Sequence, residues 1–346
     1  MLVYTKDTNF TSFGVGIMKT IADIAQLAGV AKSTVSRYLN GGSISVATKR
    51  KIERIIHETG YTPNNFAQSL KAKKPNIIGT IVPRLDSFAS SQVLMGIDEQ
   101  LRGLNYQMLI ANTSQDLVRE IESIYSLYNQ KVAGIILLAT QISEAHLKAF
   151  EETNLPVILV GQQHDQLYSL IHDDDSAGYD LGKYVLKNGH QKIAYLGVTE
   201  KDIAVGVRRK EGFKRAISED DNCEVNYYET SFKMENAVEV TSSIIESFDP
   251  SIIVCATDNI ALGALKAAHL KEIDVPSSLS IAGFGGYDVT GIIHPGLTTV
   301  KFHYEKVGRM AATSLVTLLN GGEIPRSQLS DYQIIERESV DNKLKR

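Results

Sequence analysis

Apolar residues recur at helical spacing in two short segments near the start of the chain. In the first they are Ile21, Ile24, Ala25 and Ala28, and in the second they are Val30, Val35 and Leu39. This spacing places each set on one face of a helix. Thr20 can cap the first helix together with the Asp23 carboxylate, and Gly29 can end it in the left-handed conformation. Residues 20–40 therefore predict two short helices joined at Gly29.

The polar residues of the second helix lie away from its apolar side. They are Lys32, Ser33, Ser36 and Arg37, and each can donate hydrogen bonds. A third helix is predicted to follow, capped by Ser45 and ended by Gly60. Two helices joined by a tight turn are typical of a helix-turn-helix, whose second helix can enter the major groove of DNA.

Charge is distributed unevenly along the chain. Between Met18 and Lys74, ten Lys or Arg accompany three acidic residues, which gives this segment a net charge of +7. Because the whole chain carries −4, residues 75–346 carry −11. A basic head on an acidic body is expected when only the head meets phosphates. The charge therefore favours a DNA-binding head over an ordinary solvated helical subdomain.

The segment 61–75 has the signals of a short helix between two prolines. Pro63 prevents the preceding helix from continuing, Asn64 can cap a new helix, and Pro75 forbids its extension. About two helical turns remain, which are too few to be stable alone in water. The residues by themselves fit either a marginal helix or a plain linker.

The rest of the chain alternates short apolar runs with amphipathic segments of helix length. The predicted strands are 76–82, 106–111, 134–139, 156–160, 192–197, 251–256 and 280–284. The predicted helices are 92–104, 117–130, 177–188, 238–248 and 260–270. Strands that are apolar on both faces and separated by helices predict doubly wound parallel sheets. About 270 residues are many for one core, so we expect two α/β lobes.

Polar and aromatic side chains follow the predicted strands, where ligands of open parallel sheets bind. The candidate ligand-binding residues are Ser87, Phe88, Gln162, Arg209, Thr257, Asp258 and Tyr287. Amides, carboxylates and guanidinium groups interleaved with rings suit a polyhydroxylated ligand. For Asp258, capping of the following helix is an equal alternative. For Arg209, the alternative is a surface ion pair.

No pattern of a catalytic, metal or cofactor site competes with this interpretation. The chain lacks the Gly-x-x-x-x-Gly-Lys-Ser/Thr phosphate loop and has no Gly-x-Gly-x-x-Gly after a strand. Its eight His residues show no metal-ligand clustering, and His164 and His172 are expected on solvated loops. A turn before a helix explains Asp173–Asp175 more simply than a metal does. We therefore expect no catalytic residues, no metal and no cofactor.

The remaining composition bears on the compartment. Two cysteines are too few for a disulfide framework, and no apolar run of 18 residues occurs. Residues 1–17 lack the pattern of a secretory signal and are predicted to be a disordered extension. These features favour a cytoplasmic protein that does not contact membranes.

The head and the segment after it resemble the lactose-repressor (LacI/GalR) family of transcriptional regulators. The family pattern Pro-Asn-x-x-Ala-x-x-Leu falls on Pro63, Asn64, Ala67 and Leu70. The resemblance implies an N-terminal all-α helix-turn-helix domain at 18–62, a hinge helix and linker at 63–75, and a periplasmic-binding-protein-like core at 76–346. The implied lobes are 76–174 with 303–331, and 175–302 with 332–346, joined by three crossovers.

The resemblance also implies roles for individual residues. The implied DNA-binding residues are Thr20, Lys32, Ser33, Thr34, Ser36, Arg37, Asn40, Thr48, Asn64, Ala67 and Leu70. Among them Lys32, Ser33 and Arg37 would contact base edges, while Leu70 would be an apolar wedge between base steps in the minor groove. Arg209, three residues before Gly212-Phe213, matches the effector-binding arginine of the family.

Three positions depart from the family pattern. Ala31 stands where Ser commonly caps the recognition helix, and this should cost about 0.5–2 kcal/mol of local helix stability. Gly161 and Gly285 stand where lactose-type repressors carry acidic residues, so a galactoside is not expected to be held in the same way. Phe-Gly-Gly-Tyr at 284–287 and Val-Gly-Gln at 160–162 resemble the repressors of sucrose utilisation in Gram-positive bacteria.

The resemblance implies a homodimeric repressor of carbohydrate-utilisation genes. It would bind a pseudo-palindromic operator and be released by a sugar or sugar phosphate, with sucrose or a related disaccharide favoured. Within regulators, a global catabolite regulator controlled by a phosphoprotein is the alternative. A sugar-binding transport protein has the same two-lobed core, but it would need a secretory signal and would lack the basic head.

Overall fold

The computed structural model describes residues 19–39, 42–61 and 75–345. Its contacts divide the chain into two compact units, Met1–Lys74 and Pro75–Arg346. The predicted hinge residues Asn64, Ala67 and Leu70, the predicted extension 1–17 and Asn40 lie outside the described residues.

The described part of the first unit consists of three helices, α1 (Ile21–Ala28), α2 (Lys32–Leu39) and α3 (Val46–Thr59). The predicted capping signals of α1 and α3 are confirmed. Thr20 and Asp23 form a reciprocal capping box at the start of α1, and Ser45 caps α3. Gly29 and Gly60 end these two helices with φ of 59° and 62°. The buried core of the unit consists of Ile24, Ala25, Ala28, Val35, Ile52 and Ile55.

The second unit contains two six-stranded sheets. The first sheet has the order β11-β5-β4-β3-β1-β2, and all of its strands are parallel. Its strands are β1 (Ile77–Val82), β2 (Gln107–Asn112), β3 (Gly134–Leu138), β4 (Val157–Val160), β5 (Tyr168–His172) and β11 (Ser327–Ser330). The first-sheet lobe is the part of the chain built on this sheet.

The second sheet has the order β12-β10-β9-β8-β6-β7. It is parallel except for the edge strand β12, which runs antiparallel to β10. Its strands are β6 (Lys192–Gly197), β7 (Glu224–Glu229), β8 (Ile252–Cys255), β9 (Ser280–Gly285), β10 (Thr298–Phe302) and β12 (Tyr332–Ile335). The second-sheet lobe is built on this sheet, and the predicted fold class is confirmed.

Helices cover both sheets because the strands are apolar on both faces. They are α4 (Phe88–Gly103), α5 (Leu117–Asn129), α6 (Glu144–Thr153), α7 (Asp174–Lys187), α8 (Arg209–Ile217), α9 (Met234–Phe248), α10 (Asp258–Leu270) and α11 (Tyr304–Leu319). A π-helical segment, Ile203–Arg208, leads directly into α8. Short 3₁₀ helices cover Asp288–Gly291 and Lys343–Lys345.

The chain passes between the lobes in short segments. It leaves β5 at His172 and enters α7 at Asp174, and it leaves β10 at Phe302 and enters α11 at Tyr304. A further passage joins β11 to β12 through Asp331. The prediction that His172 lies on a solvated loop is wrong, because it is the last residue of β5 and its Nδ1 atom is buried.

Candidate functional site

The first candidate site is the outer face of α2. Lys32, Ser33 and Arg37 are exposed, while Thr34 and Ser36 are partly buried. Their orientation follows from Val35, which is fully buried against α1 and α3 and so directs the polar side of α2 outward. The exposed donors therefore lie where a major groove could accept the helix.

Two further candidate DNA contacts lie at the starts of helices. The Thr20 hydroxyl is 2.8 Å from Oδ2 of Asp23, and the Thr20 amide donates to the same carboxylate oxygen at 2.6 Å. Thr48 is in the first turn of α3, and its hydroxyl is 2.8 Å from the Ser45 hydroxyl. The amides of Thr20, Asp23 and Thr48 are bonded within the caps, but the partial positive charge of a helix start still suits a phosphate.

The second candidate site is a cleft lined by residues of both lobes, at the carboxyl ends of the parallel strands. From the first-sheet lobe, Ser87 and Gln162 line it. From the second-sheet lobe, Arg209, Thr257 and Tyr287 line it. Five of the seven predicted ligand-binding residues thus lie together, although they are far apart in the sequence. Phe88 and Asp258 do not line this cavity.

Arg209 lies at the buried floor of the cleft, and its guanidinium is already held by the protein. Its Nε and Nη2 atoms donate to Oδ1 of Asp174 at 3.0 and 2.5 Å, and Nη1 donates to the Ala256 carbonyl. Its Cζ lies 4.7 Å from the ring centroid of Phe284 and 5.0 Å from that of Phe302. Both charged side chains are about 95% buried, so the surface ion pair that was the alternative for Arg209 is wrong.

The Asp174 carboxylate balances the charge of this buried arginine. Burial alone would lower the pKa of Arg209, yet the ion pair raises that pKa above its usual value. The guanidinium still has one free N–H on each terminal nitrogen after its bonds to Asp174 and Ala256. These donors can bond to an oxygen in the cleft.

Asp258 lies outside the cavity and holds a loop of the cleft in place by hydrogen bonds. Its carboxylate accepts hydrogen bonds from the Tyr287 amide at 2.9 Å and from the Thr299 hydroxyl at 2.6 Å. The side chain is fully buried, and burial raises its pKa to about 6. Thr257, not Asp258, caps α10. Asp258 therefore fixes the loop that carries Tyr287.

Aromatic contacts cross from one lobe to the other at the edge of the cleft. The Phe88 ring at the start of α4 lies 4.1 Å from the Tyr287 ring, centroid to centroid. The Arg84 guanidinium lies 5.1 Å from the centroid of the Phe232 ring. Phe88 thus contacts Tyr287 of the other lobe at the edge of the cleft and does not line the cavity itself.

The two glycines that depart from the family pattern have backbones that disfavour other residues. Gly161 has φ of 87° and Gly285 has φ of 145°. A Cβ atom at Gly285 would lie 2.4 Å from the Tyr287 ring. An acidic side chain at position 285 would therefore displace the Tyr287 ring. With Tyr287 in its present position, the cleft requires glycine at position 285.

Sequence reasoning missed several residues of the site. Asp174, Phe232 and His172 line the cleft and were not predicted to do so. Asp173 does cap α7, as the turn explanation of the acidic run predicted. The sequence does show Asp174 as a second acidic residue at the start of a helix. Its partner Arg209, however, is 35 residues away in the chain, so the ion pair could not be predicted from local sequence.

The described residues offer neither a cluster of metal ligands nor a membrane-spanning helix. No group of three or more His, Cys, Asp or Glu residues in this part of the chain could hold a metal ion. None of the described helices has the length and apolar character needed to cross a membrane.

Family models match both units. The model described as bacterial regulatory proteins, lacI family, matches residues 20–64, and a periplasmic binding protein-like domain matches residues 183–340. The structure is similar to a crystal structure of the lac repressor dimer bound to operator and the anti-inducer ONPF. The TM-score is 0.85 at 24% identity, over 93% of this chain and 99% of that chain. At this identity the likeness shows the fold.

Curated relatives match along nearly the whole chain. The sucrose operon repressor of Staphylococcus xylosus is 40% identical over 324 residues, which are 93% of this chain and 97% of that protein. Catabolite control protein A of Priestia megaterium is 27% identical over 307 residues, 87% of this chain and 92% of that protein. The chain therefore belongs to the lacI family of bacterial regulatory proteins.

Proposed function

We propose that this chain is a homodimeric repressor of carbohydrate-utilisation genes. Its helix-turn-helix would bind a pseudo-palindromic operator, and a sugar in the cleft would release it. The observation that carries the proposal is the buried Arg209, which lies at the floor of a cleft lined from both lobes and retains free donors. The similarity to the sucrose operon repressor favours sucrose or a related disaccharide as the effector.

The charges of the cleft favour a free sugar over a sugar phosphate. Arg84 and Arg209 are the cationic side chains that line it among the described residues, and Asp174 and Asp202 are the anionic ones. Arg209 is paired with Asp174, so the floor has little net charge to offer a phosphate dianion. Hydroxyl and amide side chains such as Ser87 and Gln162 suit the hydroxyls of a neutral sugar.

On the DNA side, we propose that Lys32, Ser33 and Arg37 contact base edges in the major groove. Arg37 can form paired hydrogen bonds with guanine. The half-buried Thr34 and Ser36, together with the helix-start residues Thr20 and Thr48, would contact the backbone. The predicted contacts Asn40, Asn64, Ala67 and Leu70 rest on the sequence resemblance.

We propose no catalytic role and no cofactor for this chain, because hydrogen bonding to a sugar by the cleft residues is sufficient for the proposed function. The free thiols of Cys223 and Cys255 favour a reducing cytoplasm. Control by a phosphoprotein, the alternative for a global catabolite regulator, would make operator affinity depend on that partner rather than on a sugar.

The test is release from DNA measured by fluorescence anisotropy. The full-length chain would be bound to a labelled operator that it has itself selected from a random DNA library, and sucrose, other disaccharides, monosaccharides and their phosphates would be added. We expect a disaccharide without a phosphate group to lower operator affinity at least tenfold. A change in operator affinity that is caused by a phosphoprotein partner and by no sugar of the panel would instead support the phosphoprotein alternative.

Two matched variants test the DNA side of the proposal. Arg37→Ala should weaken operator binding by about 5- to 150-fold, because a bidentate arginine–guanine contact is lost. Arg54→Ala removes an arginine from α3 that is exposed and paired with Glu58, so it serves as the control. Equal losses in both variants would mean that Arg37 contributes only charge.

A further inference from the structure

His172 is a cleft residue with a ring nitrogen that has no hydrogen-bond partner among the described residues. It ends β5, and its ring lines the cleft together with Arg209 and Gln162. Its Nδ1 atom is buried and has no hydrogen-bond partner among the residues that the structure describes. Burying a polar group in this way destabilises a folded chain unless a partner is supplied.

The location distinguishes His172 from other unpartnered groups. Buried hydroxyls without a hydrogen-bond partner also occur at Thr80, Tyr195, Thr230 and Thr241. None of these four residues lines the cleft. His172 thus combines a buried hydrogen-bonding atom that has no partner among the described residues with a ring that lines the cleft.

The surroundings of the ring keep it neutral and fixed in orientation. Its centroid lies 5.1 Å from the ring centroid of Phe302 and 5.1 Å from that of Tyr304, the latter in an edge-on arrangement. Burial, together with the nearby Arg209 and His303, lowers the pKa of His172 to about 3. A neutral imidazole has one donor and one acceptor nitrogen, which matches a hydroxyl group.

We propose that a ring nitrogen of His172 forms a hydrogen bond with a hydroxyl group of the effector and thereby helps to select an uncharged, hydroxylated ligand. The inference rests on the proposed function, because it requires a sugar in this cleft. His172 also contacts the passage between the lobes, since Phe302 ends β10 and Tyr304 begins α11. A bond to the effector therefore acts directly on that passage.

The experiment is isothermal titration calorimetry of the full-length chain with sucrose. His172→Phe keeps an aromatic ring between its neighbours but removes both nitrogens, and it should weaken binding about tenfold. His172→Asn keeps a polar atom near the position of Nδ1 and should recover most of the affinity. The exposed His269, far along α10 from the cleft, supplies the control variant His269→Phe, which should bind sucrose as the wild type does.

A structural role for His172 would give a different result. If the ring serves packing alone, His172→Phe binds sucrose within twofold of the wild type, and this result would overturn the proposal. The proposal expects the ligand-free His172→Phe chain to melt at the wild-type temperature or above, because an unpartnered polar atom is removed. If that variant does not fold, His172→Leu makes the same comparison without a polar atom.

The failure of the His172 proposal can be told apart from failure of the proposed function. A wild-type chain that binds neither sucrose nor any other sugar of the panel would overturn both. A wild-type chain that binds sucrose, with undiminished binding in His172→Phe, would overturn the role of His172 alone.

Discussion

Replacement of Arg209 by Met separates its ion pair with Asp174 from its proposed contact with the effector. Met keeps a long apolar side chain against Phe284 and Phe302 but removes the guanidinium. The Asp174 carboxylate, whose side chain is 4% exposed, would then be buried without its partner. Loss of one partner from a buried ion pair destabilises a protein by about 3–5 kcal/mol. We expect a loss of that size in the free energy of unfolding.

The dependence of this loss on pH identifies its cause. Burial raises the pKa of Asp174 already in the wild type, and removal of Arg209 takes away the charge that opposes this shift, so the pKa rises further above the value of about 3.9 in the unfolded chain. A group whose pKa is raised in the folded state stabilises it at low pH, and this contribution disappears as the pH rises through the folded value. The deficit of Arg209→Met should therefore shrink between pH 7.5 and pH 5.

Urea denaturation of the core transition at both pH values measures these quantities. Asp174→Asn combined with Arg209→Met removes the unpaired charge and should recover about 2 kcal/mol relative to Arg209→Met. The Arg209→Met chain should still bind operator DNA but fail to respond to sugar. A loss below 1 kcal/mol, or a further loss on adding Asp174→Asn, would refute the reasoning about the ion pair.

Three further predictions concern the packing of helices, a buried acid and a helix cap. Gly212→Ala would place a Cβ atom 1.9 Å from the Asp175 carbonyl oxygen, so it should lower the free energy of unfolding by about 1–3 kcal/mol or more. A Cβ atom at Gly103 would meet no atom within 4 Å, so Gly103→Ala is the matched control in the same urea titration. Because the pKa of Asp258 is raised to about 6, the wild type should gain stability relative to Asp258→Asn as the pH falls from 7.5 to 5, and parallel stability curves would contradict this. Thr20→Ala removes the capping box and should speed hydrogen exchange in α1 of the full chain by about fivefold, corresponding to about 1 kcal/mol; unchanged exchange would show that the cap does not limit opening.

Local signals in the sequence were sufficient to predict the helices of the head. The capping residues Thr20 and Ser45 and the left-handed Gly29 and Gly60 act within a few residues of the helix ends that they define. The hydrophobic spacing of these short helices also predicts which side is buried. No long-range contact is needed for these assignments, so they could be made from one sequence.

The strands β7 and β10 were not predicted, because they lack the continuous apolar run that revealed the others. β7 is an edge strand, and within its polar sequence Glu224–Glu229 only Val225 and Tyr228 are partly buried. β10 begins with Thr298 and Thr299, whose side chains are completely buried by contacts that the sequence does not show. The hydroxyl of Thr299 donates to Asp258, and that of Thr298 donates to the Arg337 carbonyl. Such strands become identifiable only when their tertiary partners are known.

The assembly of the cleft depends on close packing of two helix pairs, which single residues do not reveal. In the first-sheet lobe, a Cβ atom at Gly96 would lie 2.1 Å from the Glu305 carbonyl oxygen, so the backbones of α4 and α11 are in contact. In the second-sheet lobe, a Cβ atom at Gly178 would lie 2.1 Å from the Arg209 carbonyl oxygen, so α7 and α8 are equally close. The second contact is what brings Arg209 to Asp174.

These two helix pairs also determine where the lobes can move. The passage after β5 enters α7 within two residues, and the passage after β10 enters α11 within two residues. Because backbone contacts prevent these helices from sliding within their own lobes, a change in the angle between the lobes has to be taken up by the short passages. His172 and Phe302 end the strands that enter these passages, and both contact the floor of the cleft. An effector bound there, as we propose, would therefore act on the residues at which a rotation of the lobes would have to occur.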